Sequence, residues 1–196
     1  KKILTLGKKN HYTVTEKISE NIFAIATAVT APSYISFWTA ASYYGLTEQQ
    51  IKTVQVVSTK QYPILKIGNF VVETSTCKPQ KFFGYHKLQN FPIAEKEKLI
   101  VDILFKPELC GGTEEVGKCL QNMWTEIDQK ILLTYLQKFK NKSCFARAGH
   151  LIETLKLKCT VIPEIKKNLP RGFVKLNPTK KKSNRYNQKW RIIIND

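Results

Sequence analysis

The clearest periodic stretch is Tyr34-Ile35-Ser36-Phe37-Trp38-Thr39-Ala40-Ala41-Ser42-Tyr43-Tyr44-Gly45-Leu46. Pro32-Ser33 before it and Gly45 near its end are helix start and stop signals. Ile35, Trp38, Ala41 and Ser42 fall on one side at helical spacing, and Phe37, Ala40 and Tyr44 make a second apolar stripe. The pattern predicts one buried helix. A preceding helix is expected through about Val29, capped by Thr15 or Ser19. Thr53 to Ser58 alternates and is β-branched, which reads as a strand. Ile64 to Ile67 and Phe70 to Thr74 flank Gly68-Asn69, a hairpin signal, and Lys81 to Leu88 reads as a further strand.

The second half reads as helical. Ile93 to Phe105 has acids in its first turn and buries Leu99, Ile100, Ile103 and Leu104, with Pro107 as the stop. Thr113 is the expected cap of a helix to Met123. Thr125 with Asp128 resembles a capping box for a helix to Phe139. Helices over 143–157 and near 162–168 follow. The chain then closes with Phe173 to Pro178, a polar basic loop and the strand Lys189 to Ile194. At the other end, Ile3 to Leu6 and His11 to Val14 bracket Gly7-Lys8-Lys9-Asn10, a short basic hairpin.

Three of these segments resemble, in order, the AbiEi family of antitoxins and transcriptional regulators from type IV abortive-infection toxin–antitoxin systems. Tyr34-Ile35-Ser36 with Gly45-Leu46 matches one family motif, with Tyr44 where the family has His. Glu97-Lys98 and Asp102 match a Glu-Lys…Asp helix, with Leu99 for a small Ala and Phe105 for Tyr. Arg147-Ala148-Gly149-His150-Leu151-Ile152-Glu153 matches a third segment, with His150 for Tyr. The family also ends in Leu-x-Pro, a polar loop and a Trp-Arg strand, as here at Leu176, Pro178, Trp190 and Arg191. The likeness runs from about residue 12 to the end.

The resemblance implies a phage-defence antitoxin that is also a cytoplasmic DNA-binding autorepressor. Its expected partners are operator inverted repeats and, on the antitoxin side, a nucleotidyltransferase-like toxin. It also makes residues 1–14 the wing of a winged helix whose helices lie upstream, and residues 15–196 the antitoxin domain. The chain opens on Lys1 and its single Met is Met123, so a piece of a longer protein is expected. The fold class expected is α+β: a partial wing, a small and mostly antiparallel sheet with packed helices, and a helical C-terminal part closed by a β-hairpin.

Charge sharpens this picture. Lys and Arg total 32 against 15 acids, a net charge of +17. Such an excess attracts anionic partners, nucleic acid above all. The plainer explanation is a Lys-rich proteome with solvated surfaces. Candidate phosphate contacts are Lys8 and Lys9 at the N-terminal turn, and Lys180, Lys181, Lys182, Arg185, Lys189 and Arg191 around Tyr186 and Trp190. The alternative function is a basic, non-catalytic module that holds nucleic acid or an acidic protein without regulating anything.

The five cysteines are odd in number and have no C-x-x-C spacing, so neither a disulfide framework nor a zinc site is expected, and a reducing cytoplasm fits them. A metal-dependent nuclease needs converging carboxylates, and only three Asp are present, at 102, 128 and 196. No catalytic residue, cofactor, metal or small-molecule substrate is therefore expected. No apolar run approaches the roughly 20 residues that span a bilayer.

Overall fold

The computed structural model describes residues 3–5, 12–14, 18–47, 52–88 and 90–196. The chain packs as two compact units, Lys1–Glu95 and Lys96–Asp196. Residues 15 to 95, read from the sequence together with the later helices, thus have a core of their own. The architecture is α+β, and among the described residues no helix is long and apolar enough to cross a membrane.

The first unit opens with β1 (Ile3–Thr5) and β2 (Tyr12–Val14), an antiparallel pair as the turn signal predicted. Then come α1 (Ile18–Val29), β3 (Ser33–Ile35), α2 (Phe37–Tyr43), β4 (Thr53–Ser58), β5 (Leu65–Ile67), β6 (Phe70–Thr76), β7 (Tyr85–Leu88) and β8 (Phe91–Ala94). Strands β3 to β8 form a six-stranded sheet in the order β5-β6-β4-β3-β8-β7. Three pairings are antiparallel and two, β4 with β6 and β3 with β8, are parallel, so the sheet is mixed. Val54 and Val56 of the central β4 are fully buried. Helix α1 lies over β3, β4 and β8 and buries Ile18, Ile22, Ala26 and Val29.

The predicted long helix over 34–46 is corrected. Ser33–Ile35 is a strand, and the helix is only Phe37–Tyr43. Ser33, Tyr34 and Ile35 pair with Ser58, Val57 and Val56, and all three are buried. A strand covered on both faces shows no alternation, so its apolar residues blend into the helical stripe beyond. Gln55 then fixes α2 on the sheet. Its Oε1 accepts the Trp38 N–H at 2.9 Å, while its own N–H donates to Thr39 Oγ1 at 2.9 Å.

The second unit holds α3 (Lys96–Phe105), α4 (Thr113–Met123), α5 (Gln129–Phe139), α6 (Lys142–Thr154), α7 (Ile162–Lys167), and the short strands β9 (Val174–Lys175), β10 (Tyr186–Asn187) and β11 (Ile192–Ile193). β11 pairs antiparallel with β10 and parallel with β9. Two expected caps are corrected. Gly112, not Thr113, is the N-cap of α4, and Asp128, not Thr125, caps α5, accepting from Lys130 N at 2.7 Å and Ile131 N at 3.2 Å. The run Ile93-Ala94, read as helix, is the end of β8, and α3 begins at Lys96.

Helix α3 is buried from Lys98 to Leu104. Burying Leu99, Ile100, Ile103 and Leu104 contributes about 1.5–3 kcal/mol each. Lys98 is carried into this core by an ion pair with Asp102 one turn on, and its ammonium also sits 5.1 Å from the Phe139 ring centroid. A second lock joins α6 to the C-terminal strands. Trp190 is 1% exposed and lies on Gly149, where a Cβ would stand 2.0 Å from Cζ3 and 2.1 Å from Cε3 of the indole.

Asp102→Asn is expected to lower the unfolding free energy by about 3 kcal/mol, because it removes the negative charge that opposes a buried ammonium. The pair of changes Lys98→Met and Asp102→Leu is expected to recover most of that loss in urea denaturation. Gly149→Ala is expected to cost about 3 kcal/mol in the same assay, since the ring and the helix cannot both keep their places.

Candidate nucleic-acid interface

The C-terminal segment is built on side-chain amides. Asn195 Nδ2 donates to the carbonyls of Asn177 at 2.9 Å, Lys181 at 3.0 Å and Lys180 at 3.3 Å, and Asn195 Oδ1 accepts the Asn177 N–H at 3.0 Å. Asn177 Oδ1 accepts from the N–H and hydroxyl of Thr179, closing a turn of the Asx type. Ser183 ties the far side by donating to the Ile194 carbonyl and accepting the Arg185 N–H at 3.1 Å. The loop backbone is thus held while its side chains point outward. Lys180, Lys181, Lys182, Arg185, Lys189 and Arg191 are all exposed.

They are not equivalent. Lys189 forms an ion pair with Glu153, whose other carboxylate oxygen accepts the Trp190 indole N–H. The Lys189 hydrogen bond, then the indole, holds the Glu153 carboxyl below its ordinary range. Arg191 lies 5.7 Å from the Phe173 ring centroid, and Phe173 meets Tyr186 edge-to-face at 5.1 Å. Lys180, Lys181, Lys182 and Arg185 form no ion pair among the described residues, which leaves their charge to solvent or a partner. Tyr186 is 48% exposed and offers a ring face. Trp190 does not: it belongs to the core, which corrects its expected place in a stacking surface. Lys8 and Lys9 lie outside the described residues.

Several polar residues of the matched motifs serve the framework. Arg147 is 6% exposed and donates to the carbonyls of Leu104 at 2.8 Å, Phe105 at 3.5 Å and Lys175 at 3.0 and 3.1 Å. Burial lowers its pKa. Glu97 accepts the Asp128 N–H at 2.8 Å, joining the starts of α3 and α5. His150 is buried, and burial lowers its pKa as well. Among the described residues no group of three or more His, Cys, Asp or Glu is placed to hold a metal ion. Cys110 and Cys119 approach to 4.0 Å, and their contact together with burial pushes the Cys110 thiol up. The framework role of Arg147 was beyond sequence reasoning, because its acceptors are backbone carbonyls that carry no residue signal.

No family model matches the chain, and no curated protein matches it in sequence. In structure the chain is similar to the crystal structure of the RV2827C protein from Mycobacterium tuberculosis, with a TM-score of 0.69 at 11% identity over 97% of this chain and 74% of that one. The likeness establishes a shared fold.

Proposed function

We propose that this chain is an antitoxin and DNA-binding autorepressor of the AbiEi kind, acting in the cytoplasm on operator repeats and opposing a nucleotidyltransferase-like toxin. The observation that carries the reading is the order of the three motifs combined with an exposed cationic segment. The second and third motifs support one another physically, since Arg147 of the third binds the carbonyls that end the helix of the second. Beside them, Lys180, Lys181, Lys182 and Arg185 present charge that is unpaired among the described residues, on a fixed loop. Such cations neutralise phosphates and set position, while base choice needs an element in a groove. In this reading that element is the winged helix to which residues 1–14 belong, and the protein is not an enzyme.

The second reading is the basic module without regulatory role. The cationic loop favours it, because phosphate contacts alone carry no sequence information. A gel shift of the full-length protein separates the two, using DNA from upstream of its own operon and a scrambled duplex at about 150 mM salt, where charges are screened beyond about 8 Å. The regulator is expected to prefer the upstream duplex by a factor of about 1000 or more, and to lose that preference when residues 1–14 are deleted. Equal binding to both duplexes contradicts the regulator and leaves the module. Absence of binding contradicts the regulator and restricts the module to an acidic protein partner.

A further inference from the structure

The second unit contains a cavity of about 500 Å³ between the start of α4, the C-terminal half of α6 and the turn after β9. A volume of that order accommodates a small organic ligand of mononucleotide size. Its walls are unusual in what they leave unpaired. Gly111 (φ 71°) and Gly112 (φ 95°) swing the chain into α4 through the left-handed region, and no side chain caps the first-turn amides. Thr113, the first residue of the helix, is 5% exposed, and its hydroxyl has no hydrogen-bond partner among the described residues. Asn177 is also 5% exposed. Its Oδ1 is occupied by Thr179, while its Nδ2 has no partner among the described residues. That amide nitrogen sits over the helix start, 3.9 Å from where a Gly112 Cβ would be.

A chain of hydrogen bonds makes the third buried group a donor too. The Trp190 N–H donates to Asn187 Oδ1 at 3.1 Å, which fixes the amide so that its Nδ2 donates to His150 Nδ1 at 3.1 Å. A neutral His150 accepting at Nδ1 carries its proton on Nε2. His150 is 7% exposed and lines the cavity, and its Nε2 has no partner among the described residues. Helix amides, a hydroxyl, a carboxamide N–H₂ and an imidazole N–H therefore all present donors to one space, beside the exposed Lys180.

We propose that this cavity binds a phosphate monoester, with the first turn of α4, Thr113, Asn177 and His150 donating to the phosphate and Lys180 closing over it. Oxyanions suit a helix N-terminus because its amides and its dipole both favour negative charge. The lining also includes the acids Glu114 and Asp196. Glu114 is 3.2 Å from the Lys118 ammonium and mostly solvent-exposed, so part of its charge is offset. The two acids oppose an anion, and the helix-start amides with Lys180 offset them. The remaining wall is apolar, from Leu151, Leu155 and Leu176, and suits an uncharged flat remainder such as a nucleoside. Phosphate monoesters of this shape come from free nucleotides or from the phosphorylated end of a strand. The site stands apart from the DNA reading, since it needs no operator.

Isothermal titration of the full chain tests the site with AMP, inorganic phosphate and adenosine. AMP and phosphate are expected to bind saturably and adenosine not to bind. Thr113→Val, nearly isosteric, is expected to weaken AMP about tenfold, the loss of one hydrogen bond to a charged group. Lys180→Gln, an exposed change that leaves the core untouched, is expected to weaken it several-fold. A 5′-phosphorylated tetranucleotide against its 5′-hydroxyl counterpart separates the sources. Preference for the phosphorylated strand over AMP assigns a strand end, and preference for AMP assigns the free nucleotide. The proposal is overturned if AMP shows no saturable binding up to about 10 mM, if adenosine binds as well as AMP, or if both variants bind AMP like the parent chain.

Discussion

A buried guanidinium that makes no ion pair among the described residues holds the second unit together. Arg147 is withdrawn from water, and its four donations go to carbonyls of Leu104, Phe105 and Lys175. Two of those carbonyls end α3, where the helix dipole is negative and the C=O groups lack intrahelical partners. One group thus caps a helix and fixes a strand at once. Lysine could not do this, since a single ammonium cannot fan planar donors to acceptors on both sides. Because β9 pairs with β11, the same contact anchors the sheet from which the basic loop extends.

The other polar residues inside this unit follow the same logic. Lys98 and Asp102 satisfy one another in the core, with Phe139 against the ammonium. Glu153 holds the Trp190 indole while Gly149 leaves room for its ring. The residues by which the chain resembles AbiEi proteins are therefore mostly framework residues. Their presence marks a way of folding, and in the proposed reading contact with an anionic partner falls to side chains outside the motifs, on the loop from Lys180 to Arg185.

Local signals were legible where they act locally. The alternation of β4, the Gly68-Asn69 turn and the apolar faces of α3, α5 and α6 all appear in the structure close to where the sequence placed them. Signals were lost where both faces of an element are covered. Ser33–Ile35 is buried throughout, and Pro92 inside β8 hid a strand that the chain nevertheless forms. Trp190 looked like a stacking platform beside lysines, but a contact with a glycine distant in sequence draws it into the core. The cavity was invisible for a related reason. Its donors come from the Gly111-Gly112 turn, α6 and Asn177, and what distinguishes them is the absence of a partner among the described residues.

In the proposed function the exposed cations of the C-terminal loop hold nucleic acid. The direct measurement is the slope of log affinity against log salt for a duplex, comparing the parent chain with one carrying Lys180→Gln, Lys181→Gln, Lys182→Gln and Arg185→Gln. Each lost phosphate contact lowers the slope by about 0.9, so a reduction of about 3 to 4 is expected with the thermal midpoint unchanged. An unaltered slope in the folded variant would contradict that role for the loop.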